Sequence, residues 1–175
     1  MTVKEEFELR KWAMGDKESL TRLCNTVDRR YLSDRLPSPY ENSDAEKWLS
    51  FVHEEDGKNG LFRTVVVDNQ IVGSISVELK DNYSEGEMGY MLLTDYWSHG
   101  IMTEAVAQMS LLAFELLGVN KISALVCKQN VASAKVLEKN GFQKCPMPSN
   151  ATDERRENTF VKYELMSSAA LSSIP

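Results

Sequence analysis

Three cysteines and two histidines are all the soft metal ligands this 175-residue chain contains. Cys24, Cys127 and Cys145 are widely spaced, and His53 and His99 stand alone, so no metal site is expected. Three scattered cysteines cannot all pair with one another either. They read as buried thiols in a reducing, cytoplasmic setting. Long hydrophobic runs are also missing, since nothing approaches the roughly 20 apolar residues that span a bilayer. The opening "MTVKEEFELR" lacks the apolar core of a secretory signal, so no membrane partner is expected. A net charge of -6 without clustered Lys and Arg argues against a nucleic-acid partner, although it leaves room for a local patch that meets a small phosphorylated ligand. Neither G-x-G-x-x-G nor G-x-x-x-x-G-K-S/T occurs, which sets aside NAD and ATP as ligands.

What remains is an ordinary globular composition, 42% hydrophobic and 26% charged, of a length that fills one core. Apolar and charged residues alternate from Phe7 to Trp12, as in a half-buried strand. Asp16 reads as the N-cap of a helix reaching about Tyr31, with Leu20, Leu23, Cys24 and Val27 on one face. After the turn-rich "LPSPYENS", Ser43 and Glu46 read as a capping box ahead of a second helix carrying Trp48, Leu49 and Val52. "LFRTVVVDNQIVGSISVELK" is two β-branched runs joined as a hairpin at Asp68 to Gln70, and "EMGYMLL" completes an antiparallel meander. A long helix follows, with Ile101, Ala105, Val106, Met109, Leu112, Ala113, Leu116 and Leu117 as its apolar face and Gly118 as its end. "KISALVC" reads as a strand, Val131 to Asn140 as a short helix closed by Gly141, and "TFVKYEL" as a last strand. Residues 1–166 are expected to form a single domain, and residues 167–175 a weakly ordered tail.

The stretch "YWSHGIMTEAV", Tyr96 to Val106, joins a strand to the long helix through Gly100. Unpaired N–H groups at such a helix start form an anion cradle, and a glycine there lets a phosphate approach the backbone. With Gly100 in its fixed position, "WSHGIM" resembles the Gln/Arg-x-x-Gly-x-Gly/Ala motif of the GNAT superfamily of acetyl-CoA-dependent N-acetyltransferases. Trp97 replaces the Gln/Arg and Met102 the final Gly/Ala, which is similar to the variant of the ribosomal-protein N-terminal acetyltransferases (the RimJ/RimL type). A second block, "NVASAKVLEKNGF" from Asn130 to Phe142, resembles the N-x-x-S-x-x-x-x-E-K-x-G-F pattern of the same branch.

The resemblance implies an α/β (α+β) fold: a mixed, mostly antiparallel central sheet of about seven strands flanked by about four helices, in the order β-α-α-β-β-β-α-β-α-β-β. It implies acetyl-CoA as cosubstrate, a primary amine as acceptor, and direct attack in a ternary complex. Subunits of this branch often pair, so a homodimer is compatible with it. Ser98, His99, Gly100, Ile101, Met102 and Thr103 would meet the pyrophosphate, with Trp97 and Tyr96 shaping the loop. The backbone of Met91 and Leu92 would run beside the pantetheine arm, and Asn130 would bond it from the other side.

For the chemistry, the resemblance points to Glu87 as general base, Leu92 N–H as oxyanion donor and Ser133 as the acid for the departing thiolate. Many relatives carry a tyrosine in the second motif for this last role, and Leu137 occupies its place here. Each residue also has a plain structural reading. Glu87 reads equally as a solvated strand carboxylate, Asn130 and Ser133 as helix caps, and His99 as a solvent-facing or phosphate-contacting side chain. Lys135 and Lys139 read as solvated, with a CoA phosphate as their functional alternative. Cys127 reads as a structural thiol near the thioester, and Asp153 to Arg155 as a charged hairpin loop beside the acceptor. Two other readings compete with the enzyme: a module that binds acyl-CoA without transfer, suggested by Trp97, Met102 and Leu137, and a purely structural domain.

Overall fold

The computed structural model describes residues 5–32, 35–147 and 159–172. Its seven strands form one sheet in the order β1-β2-β3-β4-β5-β7-β6. They are β1 (Glu8–Lys11), β2 (Gly60–Val67), β3 (Gln70–Leu79), β4 (Glu85–Leu92), β5 (Lys121–Cys127), β6 (Gln143–Cys145) and β7 (Phe160–Met166). Every neighbouring pair is antiparallel except β4 with β5. The expected meander is thus β2-β3-β4. Its first turn is tight because Asp68 and Asn69 both take positive φ, the conformation of a two-residue hairpin that suits Asp and Asn.

Four helices flank the sheet: α1 (Lys17–Thr26), α2 (Asn42–Glu55), α3 (Ile101–Leu112) and α4 (Val131–Lys139). Helices α1 and α2 lay Leu20, Leu23, Leu49 and Val52 over Phe62 on one face. Helices α3 and α4 lay Ile101, Val106, Met109 and Leu137 over Ile75, Met88, Ile122 and Tyr163 on the other. Leu20, Leu23, Leu49, Ile75, Met109 and Leu137 are each no more than 2% exposed. At about 1.5–3 kcal/mol per fully buried aliphatic side chain, these two cores dominate the favourable side of folding.

Several local expectations need correction. Helix α1 stops at Thr26, because Val27 turns to ψ 144 while its N–H bonds Leu23 O. Asp16 precedes α1 but makes no cap bond there. Its carboxylate instead accepts from Arg10 and from the Ala13 N–H at 2.8 Å. The capping box of α2 is Glu41 with Asp44, two residues earlier than expected, and Glu46 pairs with Lys17 at 2.7 Å. The last turn of the long helix, Ala113–Leu117, is a π-helix. Its wider turn rotates Leu116 off the apolar face, leaving it 58% exposed. Only Cys24 is a buried thiol, whose pKa burial pushes up to about 12, whereas Cys127 and Cys145 are half-buried. Where a weakly ordered tail is expected, Ser168–Ser172 form a short helix, α5, and Ser167 N–H bonds Asn120 O at 2.8 Å.

Candidate active site

The two halves of the sheet part at its parallel junction. Strands β4 and β5 pair only from Glu85 to Glu87 against Lys121 to Ser123, and beyond Glu87 they have no common register. An ion network closes the paired end. Glu85, its side chain 12% exposed, lies 3.0 Å from Lys80 Nζ, 3.5 Å from Lys121 Nζ and 3.8 Å from Lys162 Nζ. Glu164 joins it at 3.1 Å from Lys121 and 2.9 Å from Lys162. Burial works against the Glu85 charge, but the three lysines outweigh it and hold its pKa below the usual carboxylate value.

The hydrogen-bond phase of β4 decides which amides face the opening. Lys80 N–H donates to Glu85 O, and Leu93 N–H donates to Val72 O, both in register with β3. In an antiparallel ladder the bonded pairs alternate, so Glu87, Gly89 and Met91 turn their backbone groups toward β3. Met88, Tyr90 and Leu92 turn theirs toward the opening. Of the two residues expected beside the pantetheine arm, Leu92 faces the gap and Met91 does not. The Leu92 carbonyl is already taken by Trp97 Nε1 at 2.8 Å, which ties the glycine loop to the end of β4.

Side chains alternate in the same way. Met88 and Leu92 pack into the α3–α4 core with Tyr90 against them, while Met91 packs toward α1 and α2. Glu87 shares the Met91 face, half-exposed and 3.6 Å from Lys80. Leu92 lies five residues beyond it, about 16 Å along a strand. One carbonyl carbon cannot meet both the Glu87 carboxylate and the Leu92 N–H, which separates two roles expected to act together.

Gly100 begins α3 with φ 79, a left-handed conformation that costs glycine little, and a Cβ built there meets nothing within 4 Å. Ser98 is also left-handed, at φ 64. After Glu104 N–H bonds Gly100 O, the amides of Ile101, Met102 and Thr103 are those for which a helix supplies no partner. Ile101 and Met102 bury their side chains, so this turn offers backbone rather than side chain to a ligand. His99 Nδ1 lies 2.6 Å from Glu5 Oε2, with the ring 47% exposed.

Helix α4 brings the second motif to the same opening. Asn130 caps it by accepting from Ser133 N–H at 3.1 Å. At its other end Asn140 Nδ2 donates to Thr103 O at 3.0 Å, which joins α4 to the first turn of α3. Ser133 Oγ lies 2.7 Å from Tyr90 Oη, a residue for which the sequence reading has no role. Burial pushes the Tyr90 phenol up to about 12, against the Ser133 bond that draws it down. Leu137 is wholly buried, Lys135 and Lys139 are exposed, and Cys127 sits half-buried at the end of β5. Asp153 to Arg155 lie outside the described residues. Among the described residues no group of His, Cys, Asp and Glu is set to hold a metal, and no helix is long and apolar enough to cross a membrane.

The chain is 32% identical over 76 residues to the uncharacterized N-acetyltransferase YoaA of Bacillus subtilis, an alignment covering 43% of each protein. It therefore spans less than half the length of that relative. Two solved structures share the fold over nearly the whole chain. One is the ribosomal-protein-S5-alanine acetyltransferase of Vibrio fischeri (20% identity, 94% of each chain, TM-score 0.79). The other is RimL, a ribosomal L7/L12 α-N-protein acetyltransferase in complex with coenzyme A (16% identity, 95% of this chain and 96% of that one, TM-score 0.76). The model of the acetyltransferase (GNAT) domain matches residues 6–143, and the chain belongs to the GNAT family of acetyl-CoA-dependent acetyltransferases.

Proposed function

We propose that this protein acetylates a primary amine by direct attack on acetyl-CoA in a ternary complex. One observation carries the reading: an opening flanked by the inward-facing amides of Met88, Tyr90 and Leu92 leads from the β4–β5 junction to the left-handed Gly100 turn. The amides from Ser98 to Thr103 hold the pyrophosphate, and the N–H of Leu92 and the side-chain NH2 of Asn130 hold the arm. Bound acetyl-CoA supplies the acetyl group and a leaving thiolate of pKa about 8.5.

An amine acceptor has a pKa near 10.4 and must lose a proton before it attacks. Glu87 takes that proton, directly or through one water, from the α1–α2 side of the sheet. Ser133 meets the departing sulfur from the α4 side. Acid and base thus stand on opposite faces of one gap, as attack and departure at one carbon require. The oxyanion role passes from Leu92 to the Met88 or Tyr90 N–H, which lie nearer Glu87 and face the opening.

The acceptor enters beside the segment between α1 and α2. That segment is fastened by Arg29, whose guanidinium donates to Cys24 O, Leu36 O and Pro37 O, and by Asn25, which exchanges two bonds with the Tyr40 backbone. The likeness to ribosomal-protein acetyltransferases puts peptides with free N-termini among the acceptors to try, with polyamines and small amines beside them. Release of free thiol from acetyl-CoA against those three pools tests the proposal. Turnover on one pool is the expected result, and tight binding of acetyl-CoA with no turnover on any pool overturns it.

A further inference from the structure

We infer that Tyr90 is a positioning residue for the Ser133 hydroxyl, a second hydrogen-bond donor that fixes where Ser133 points its own proton. The inference rests on the reading of Ser133 as the group that meets the departing sulfur. Tyr90 and Ser133 are 43 residues apart in the chain and come from different elements, β4 and the first turn of α4. Nothing local brings them together.

Tyr90 stands on the part of β4 that has left β5, three residues past the last paired position, Glu87. Its ring packs against the α3–α4 core, and its Oη reaches Ser133 Oγ at 2.7 Å, with the Ser133 carbonyl at 3.4 Å. Both groups near Oη are acceptors when the phenol donates. That arrangement occupies a lone pair of Ser133 Oγ and leaves the serine proton free to turn into the opening. A serine near a helix start otherwise has backbone groups of its own turn to bond, which would spend that proton inside the helix. The Asn130 cap holds Ser133 through its backbone N–H alone, and Tyr90 adds the contact that holds the side-chain oxygen.

In the reaction the amine nitrogen bonds the acetyl carbon, the carbon–sulfur bond breaks, and its electron pair leaves on sulfur. Ser133 donates a hydrogen bond to that sulfur while Tyr90 donates one to Ser133. Polarisation along the two bonds strengthens the second of them. The acceptor ammonium gives up one proton through Glu87 before attack and its nitrogen a second after the bond forms, both passing to solvent, and the released thiolate takes its proton from solvent, so both tyrosine and serine end the cycle as they began. The elevated phenol pKa fits a hydroxyl that stays protonated throughout.

The test compares Tyr90→Phe, Ser133→Ala and the double variant. Tyr90→Phe keeps the ring in the core, and equal thermal midpoints confirm that it folds. The expected kcat losses are roughly tenfold for Tyr90→Phe and roughly a hundredfold for Ser133→Ala, with the double variant no slower than Ser133→Ala. The Kd for acetyl-CoA, measured by calorimetry, stays within twofold throughout. Without substrate, the ring-carbon NMR signal that vanishes in Tyr90→Phe shifts in Ser133→Ala. Full activity in Ser133→Ala overturns the hydrogen bond from Ser133 to the departing sulfur and this inference with it. Loss in Ser133→Ala with full activity in Tyr90→Phe overturns the inference alone. Losses that multiply in the double variant, a Tyr90→Phe defect confined to Kd, or an unmoved tyrosine signal also overturn it.

Discussion

Glu78 and Glu87 stand directly opposite each other across β3 and β4, two carboxylates at one register position on the α1–α2 face. Like charges so placed destabilise a sheet. Burial raises the Glu78 pKa first and the Glu87 charge raises it further, with Arg35 pulling the other way. A carboxylate with a raised pKa costs no stability below its ordinary value near 4.5, and the cost grows as pH rises through the folded value. Glu78 nonetheless stays exposed to solvent, which screens the repulsion, so Glu78→Gln is expected to melt only about 1 °C higher at pH 7, the gain fading as pH falls toward 4.5. Glu87→Gln is expected to lose roughly a hundredfold in kcat with an unchanged Kd for acetyl-CoA. Full activity there removes Glu87 from the base role.

The ion network at the closed end of the opening has the opposite pH dependence. Burial opposes the Glu85 charge, yet Lys80, Lys121 and Lys162 bring its pKa below the usual value, so its contribution is complete above about pH 4.5. That contribution is lost as pH falls through the depressed value. Breaking a buried pair costs about 3–5 kcal/mol, but here Glu164 and Glu87 still serve the lysines, which reduces the expected loss to about 2 kcal/mol. Glu85→Gln should then melt about 4–8 °C lower at pH 7 and converge on the parent protein as pH falls through the depressed Glu85 value. Melting curves across that range check both size and sign.

Arg29 fastens the segment leading into α2 through three backbone carbonyls, donating to Cys24 O, Leu36 O and Pro37 O. Its removal frees the wall beside the proposed acceptor entry and leaves the first turn of α3 untouched. Arg29→Ala is expected to raise the acceptor KM about tenfold while the Kd for acetyl-CoA holds. A change in acetyl-CoA affinity of the same size would place the segment elsewhere in the reaction.

The strand runs of β2 to β5, the Asp68–Asn69 hairpin and the limits of α4 are legible in the sequence because each follows from neighbours a few residues apart. The Gly100 turn is legible as a glycine that opens the backbone ahead of an apolar helix, whereas its left-handed φ is seen only in the structure. The capping box of α2 lies two residues before Ser43 and Glu46, the pair that fits the Ser/Thr-x-x-Glu/Gln pattern, because the chain enters the helix at Glu41, whose N–H donates to Asp44 Oδ2, while Glu46 pairs with Lys17. The Tyr90–Ser133 pair is not legible in the sequence, because it is set by the packing of α4 against a strand and no local spacing encodes that. The direction of the β4 amides depends on pairing phase with β3, which separates Met91 from Leu92 although both lie on one short run.

A calorimetric titration of the protein and of Gly100→Asp with acetyl-CoA tests the central claim most directly. The account predicts one site per chain for the parent protein and at least a hundredfold weaker binding in the variant, because a carboxylate beside the open amides of α3 repels a pyrophosphate. The variant should keep its overall fold, since a side chain here meets nothing within 4 Å and the strain of a left-handed Asp at φ 79, about 1–2 kcal/mol, falls on a residue that tolerates this conformation better than most. Equal affinity in the two proteins, or no binding to the parent, would contradict the account.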